Sequence, residues 1–171
     1  MDQIYAYPLW AQRQKSLAKG TRKHMCTQRR LVRESTMASR ALVFGRNGGI
    51  AGALAEQLDR AGTDTVVIGR SDGLQLRDSI SVAQLAQRTP GPFDLIFDAT
   101  GALSIDGAEP EKTIAGIEAD AMLAQFAVNA VGPALLLKHF HGHLPRTGRG
   151  VFATLSARVG SIGDNRLGGW I

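Results

Sequence analysis

A single cysteine, Cys26, is all the sulfhydryl chemistry in 171 residues. That excludes an intrachain disulfide framework and a cysteine-rich zinc site, and nothing else points to secretion, so a reducing cytoplasm is the expected compartment. Long hydrophobic runs are missing too. No uninterrupted apolar stretch approaches the roughly 20 residues of a membrane-spanning helix, so no membrane association is expected. There is no internal repeat and no low-complexity tract. What remains is 44% hydrophobic and 20% charged residues, ordinary for one globular core and too short for two.

Acidic residues are scarce at the start. In residues 1–40 nine lysines and arginines face only Asp2 and Glu34, a net +7, which leaves residues 41–171 at −2 of the overall +5. The basicity therefore belongs to a leader, and the body is mildly acidic. Residues 1–36 carry neither a helical stripe nor strand alternation, are broken by Pro8 and Gly20, and are expected to be disordered. Tyr5, Tyr7 and Trp10 beside Arg13 and Lys15 could stack on and neutralise a single-stranded nucleic acid, a partner that this leader alone would recruit. The plainer expectation is no nucleic-acid partner, with Met37 as the natural start and the leader an upstream extension. The expected division is a basic leader over 1–36 and a folded body over 37–171.

The body is patterned from its first residues. Ala41–Phe44 reads as a strand running into Gly45, and residues 49–61 place Ala51, Leu54, Leu58 and Ala61 at helical spacing. A second strand, Thr65–Ile68, ends in Gly69-Arg70-Ser71. Two strands joined through a helix in this way are expected to be parallel. A third strand is expected near Leu74–Leu76. Ser81 with Gln84 has the form of a capping box, opening a helix that stops before Thr89-Pro90. Asp94–Phe97 reads as a fourth strand and Gly150–Leu155 as a fifth. Between them a long amphipathic helix starts near Met122, with Asn129 and Gly132 on one stripe and a kink expected at Pro133. The alternation says doubly wound α/β.

The first turn, Gly45-Arg46-Asn47-Gly48-Gly49-Ile50-Ala51, lies between strand and helix. A phosphate needs free backbone N–H groups at a helix N-terminus and no side chain blocking its approach, and this cluster supplies both. The candidate cofactor contacts are therefore Gly45, Arg46, Asn47, Gly49 and Ile50. At the end of the second strand stands Arg70, followed by Ser71. An arginine there pairs with the 2′-phosphate of NADP(H) and cannot accept from the free ribose hydroxyls of NAD(H). Arg46 could serve the same phosphate. Asp98, Ala99 and Gly101 follow the fourth strand, at the edge of the sheet where open α/β folds hold ligands. His139, His141 and His143 have no accompanying carboxylate or cysteine and fall at a helix end, so no metal is expected.

Together these motifs resemble the short-chain dehydrogenase/reductase family. The resemblance rests on Gly45-x-x-x-Gly49-Ile50-Ala51, Asp98-Ala-Thr-Gly101, Asn129-Ala-Val-Gly132 and the run Ser156 to Asn165. The last stretch, with Gly168-Gly169-Trp170, is similar to the C-factor-like bacterial branch. It covers Met37 to Trp170 and implies a Rossmann fold, strand order 3-2-1-4-5, an NADP(H) cofactor and a small carbonyl or alcohol substrate exchanging hydride with the nicotinamide. It also implies that Asn129 supports a proton-relay water and that a serine, Ser156 or Ser161, holds the substrate oxygen.

The departures are as informative. The family's Tyr-x-x-x-Lys would begin after Trp170, whereas Tyr5 and Tyr7 are the two tyrosines here and neither has a lysine four residues on. A phenol needs nearby positive charge to act as a base at neutral pH, so catalysis by this chain alone is not expected. Ala157 occupies the family's usual serine position, Asp98-Ala99 replaces two asparagines, and Gln75 stands where an aspartate often meets adenine. The resemblance thus implies a C-terminally truncated NADP-binding domain, with the fifth strand an open edge and the long helix short of a neighbour. A non-catalytic NADP(H)-binding sensor is the alternative, and relatives usually associate through their long helices, which leaves a homo-oligomer open.

Overall fold

A computed structural model describes residues 39–157. The leader, with its expected disorder, and the motif residues from 158 onward, Ser161 included, lie outside the described residues. Four strands form one parallel sheet: β1 (Arg40–Phe44), β2 (Asp64–Ile68), β3 (Leu95–Asp98) and β4 (Val151–Thr154), in the order β2-β1-β3-β4. Their C-terminal ends are level, since Phe44 pairs with Ile68 and Asp98, and Asp98 pairs with Thr154. Every helical connection consequently returns the chain to the same end of the sheet, as parallel pairing requires.

Side-chain alternation along the strands divides the core in two. Leu42, Phe44 and Ile96 face α2 (Ser79–Arg88) and α4 (Gly132–Phe140), where Val82, Leu85, Leu136 and Phe140 complete a buried cluster. Phe44 and Phe140 meet edge to face at 4.8 Å. Ala41 and Val43 alternate to the other face, and α1 (Gly49–Arg60) packs against β1 and β2, with Ala51 its fully buried residue.

Three local expectations are corrected. No third strand forms at Leu74–Leu76: the Leu74 N–H is taken by the Gly69 carbonyl, and a turn from Gln75 to Asp78 consumes the next backbone groups. Leu74 is buried and Leu76 packs against the core, so their apolar character reflects burial in a turn and not strand pairing. The order β2-β1-β3-β4 is therefore the expected 3-2-1-4-5 without its third strand. The expected capping box also fails. Asp78 caps α2 by accepting from the Ile80 N–H at 2.8 Å, and Ser81, inside the helix, donates to the Gly73 carbonyl. Finally, the long helix starts three residues earlier, as α3 (Ala119–Phe126).

Pro133 marks an irregularity in that helix. It has no N–H for the carbonyl of Asn129 four residues back, and residues Ala127–Val131 widen into a π turn before α4 resumes. The whole stretch Ala119–His143 has a mean hydropathy of 1.4 over its most apolar window, long and apolar enough by those measures to cross a membrane, which qualifies the expectation that no such segment exists. In this fold α4 sets Gly132, Leu136 and Phe140 into the core, while Leu123, Phe126, Val131 and Leu137 are exposed.

Candidate functional site

Beyond the C-terminal ends of β1, β2 and β3 lies a cleft of about 550 Å³. It sits where the chain leaves β1 toward β2 on one side while β3 pairs on the other, the point at which strand order reverses. Its walls come from three connections: Gly45–Gly48 after β1, Gly69 to Arg77 after β2, and Ala99 to Asp106 after β3, with Val128 behind.

The first wall is backbone. Gly45 has φ +115°, and a Cβ there would stand 3.0 Å from the Ala99 carbonyl oxygen, so only glycine fits. Gly45 and Arg46 both donate to the Ile68 carbonyl, and Gly48 donates back to Gly45 at 2.8 Å. Among the described residues no side chain caps α1, and its first turn holds no acid. The opening N–H groups of that helix thus lack a built-in acceptor. Fully buried Ala51, in the place of the third motif glycine, lies close under the turn.

The second wall carries the arginines. Arg70 is exposed and, among the described residues, pairs with no carboxylate. Arg46 is engaged: its Nε donates to Asp72 Oδ2 at 2.7 Å, and its Nη2 donates to the Val67 carbonyl. Asp72 also accepts from the Gly69 N–H at 2.8 Å. The Arg46 hydrogen bond, with the Gly69 N–H and the arginine's charge, holds the Asp72 carboxyl below its ordinary value.

The third wall is set by side chains. Asp98 is fully buried; its Oδ1 accepts from the backbone and hydroxyl of Thr100 at 2.9 and 2.5 Å, and its Oδ2 accepts from Thr154 at 3.0 Å. Asn129 grips Ala102, accepting from its N–H at 2.9 Å and donating to its carbonyl at 2.8 Å, while Gln125 receives a further bond from the Asn129 amide. Gly101, at φ +133°, passes directly beneath, and a Cβ there would meet Asn129 Oδ1 at 3.2 Å.

The structure therefore brings Gly45, Arg46, Asn47, Arg70, Ala99 and Gly101 together around one cleft, with Gln75 beside them. Gly49, Ile50, Ser71, Asp98, Asn129 and Ser156 do not line it. Gly49 and Ile50 open α1 just behind the turn, Ile50 with its side chain exposed. Ser71 continues the helical turn that begins at Arg70. Asp98 and Asn129 shape the third wall from outside the cleft. Ser156 is exposed just past β4, at the same end of the sheet. His143 lies at the opposite end of the strands, where its carbonyl accepts from the Phe93 N–H and its ring bonds the Ala86 carbonyl at 3.0 Å, while His139 meets Ser79 at 3.3 Å on the flank of α2.

Reading the sequence missed Asp72, Arg77, Asp106, Gln125 and Thr154. Asp106-Gly107 carried a signal, since that dipeptide marks a tight turn. Asp72-Gly73 carried the same signal, whereas Arg77, Gln125 and Thr154 gave none, because each acts on a residue distant in the chain.

No family model matches the sequence, and no curated protein matches it. Solved structures do match in shape. A small-chain dehydrogenase in complex with NADPH superposes with a TM-score of 0.62 at 24% identity, over 72% of this chain and 52% of its own. A short-chain type dehydrogenase/reductase from Mycobacterium ulcerans gives 0.60 at 18%, over 71% and 52%. A short chain dehydrogenase from Shigella flexneri gives 0.64 at 19%, over 77% and 59%. This chain thus spans a little over half the length of the structures it resembles. A four-stranded parallel sheet with helices on both faces and a glycine-walled cleft at its switch point is the Rossmann-like fold of the short-chain dehydrogenase/reductases.

Proposed function

We propose that this chain binds NADP(H) in the cleft beyond β1, β2 and β3, as the nucleotide-binding part of a short-chain oxidoreductase acting on a small carbonyl or alcohol. The observation that carries the reading is the convergence of the Gly45–Gly48 turn and the positively charged Arg70 on one cleft at the switch point. The cradle fits a dinucleotide: the start of α1, with no side-chain cap among the described residues, offers N–H groups to a pyrophosphate, and Arg70, with no carboxylate partner among them, offers its guanidinium to a 2′-phosphate. A bound nicotinamide would supply the hydride chemistry. The protein's own part is to bind and orient it.

Asn129 acts here as a positioning residue, because both ends of its amide are spent on Ala102 and Gln125. Ser156 is the candidate for holding a substrate oxygen. Within these 171 residues the tyrosines are Tyr5 and Tyr7, and neither is followed at the fourth place by lysine, so the reading assigns these residues cofactor binding and no acid/base pair. That same observation favours a second reading, a non-catalytic NADP(H) sensor built on the same cleft.

Fluorescence titration of the full chain with NADPH and NADH tests the binding. NADPH is expected to bind more tightly, and Arg70→Ala to weaken NADPH about tenfold or more while leaving NADH unchanged. Equal affinity for the two nucleotides, or an Arg70→Ala variant that loses both alike, would refute the assignment of Arg70.

A further inference from the structure

The cleft has a feature that nucleotide binding does not itself demand. Arg77 Nη1 donates to Asp106 Oδ2 at 2.7 Å and Nη2 to Oδ1 at 3.2 Å, a two-pronged guanidinium–carboxylate pair. Arg77 lies between β2 and α2, and Asp106 between β3 and α3. The pair therefore joins two of the three connections that wall the cleft, and both side chains line it.

The segment bearing Asp106 is held for this purpose. Ile105 and Ala108 exchange both backbone hydrogen bonds, at 3.1 and 2.9 Å, so that Asp106 and Gly107, at φ 52° and 86°, form a two-residue turn. Ile105 is buried and roots the turn, and Ser104 braces its foot by donating to Glu109 at 2.6 Å. At the base, Asn129 fixes Ala102 and the Gln125 amide donates to the Leu103 carbonyl at 2.7 Å. A stem fixed at its base thus carries one charged tip to the opposite wall.

We propose that residues 103–109 are a strap across the cleft and that the Arg77–Asp106 pair is its latch, slowing the escape of a bound dinucleotide. The strap rests on the NADP(H) reading given above. Its physical logic lies in the sign of the charge. A carboxylate in the wall of a cleft that receives a polyanion is unfavourable by itself, and pairing with Arg77 offsets that cost. The arginine's hydrogen bond and charge hold the Asp106 carboxyl below its ordinary value, so the pair is formed throughout the neutral range. The two side chains are 51% and 62% exposed, and pairs this exposed are weak and screened by salt, as a latch that must open requires.

The test is the NADPH dissociation rate of the full chain, followed by stopped-flow displacement, for wild type, Asp106→Asn, Arg77→Gln and the swap Arg77→Asp with Asp106→Arg. Both single variants are expected to release NADPH about two- to fivefold faster. The swap should restore the slow rate, and roughly 1 M salt should erase the differences. An Asp106 that merely repels the ligand predicts the opposite sign, slower release on Asp106→Asn. Were Arg77 a direct phosphate contact, Arg77→Gln alone would speed release and the swap would not restore it. Either result overturns the latch, as do equal rates in all four proteins. Failure of the wild type to bind NADPH overturns the nucleotide reading and the strap with it.

Discussion

The turn after β1 and the turn after β3 stand side by side in the wall of the same cleft and reach similar ends by opposite means. Gly45 at φ +115° and Gly101 at φ +133° each let the backbone double back. After β1 the turn is made by what is missing: without a Cβ at Gly45, the chain comes within packing distance of Ala99. After β3 the turn is made by a side chain, the buried Asp98 carboxylate that gathers Thr100 and Thr154. An empty first wall leaves the cleft open beside it, and a filled third wall ties β3 to β4. The same curvature thus leaves one wall bare backbone and makes the other a tie across the sheet.

The comparison breaks most sharply at Gly45. Gly45→Val places a branched side chain at a left-handed φ and against the Ala99 carbonyl, and is expected to cost about 3 kcal/mol or more and to abolish NADPH binding. Thermal melting and titration check it; a variant that melts like wild type would show that the turn is not enforced by the missing Cβ. Next comes Asp98. Asp98→Ala leaves two hydroxyls and a half-buried N–H without their acceptor and is expected to cost about 2–3 kcal/mol. Asp98→Asn, which keeps one acceptor for Thr100 and can donate to the Thr154 hydroxyl, is expected to cost under about 1 kcal/mol. Losses of equal size would mean that the charge, and not the hydrogen-bond geometry, builds this wall.

The smallest effect concerns the exposed pairs beside the two turns, Arg46–Asp72 and Arg77–Asp106. Both carboxyls have folded values lowered by their arginines, so their contribution is complete above the unfolded carboxylate value and is lost as pH falls through the lowered folded values. Tm is therefore expected to stay flat in these pairs' contribution from pH 8 to about pH 5 and to decline only below about pH 4. Comparing wild type with Asp72→Asn and Asp106→Asn isolates that part. A difference that already changes between pH 7 and pH 5 would contradict the assignment.

Much of the fold was legible because burial leaves a period in the sequence. Ala41–Phe44, Thr65–Ile68 and Asp94–Phe97 are apolar runs of strand length between turn residues, and each lies within a residue of an observed strand. Leu74–Leu76 misled for the same reason: a turn packed on the core is as apolar as a short strand, and only the hydrogen bonds of Leu74 and Asp78 distinguish them. The capping box misled because Ser81 and Gln84 have the right spacing, yet Asp78 three residues earlier is the better acceptor for an opening helix. For the cleft, glycine positions and Arg70 could be found in the sequence, since a chemical need at one residue shows in that residue.

The sequence by itself determined the alternation of strands and helices, the glycine turn after β1 and the arginine after β2, because these are properties of contiguous residues. Tertiary structure alone decided which charges remain free. Arg46 and Arg70 look equivalent in the chain, but folding brings Asp72 to Arg46 and, among the described residues, brings no carboxylate to Arg70 at the cleft. It likewise brought Arg77 to Asp106 and Thr154 to Asp98, separated by 29 and 56 positions. Parallel pairing draws distant segments to one end of the sheet, and a hydrogen bond depends on distance in space, which no local pattern records.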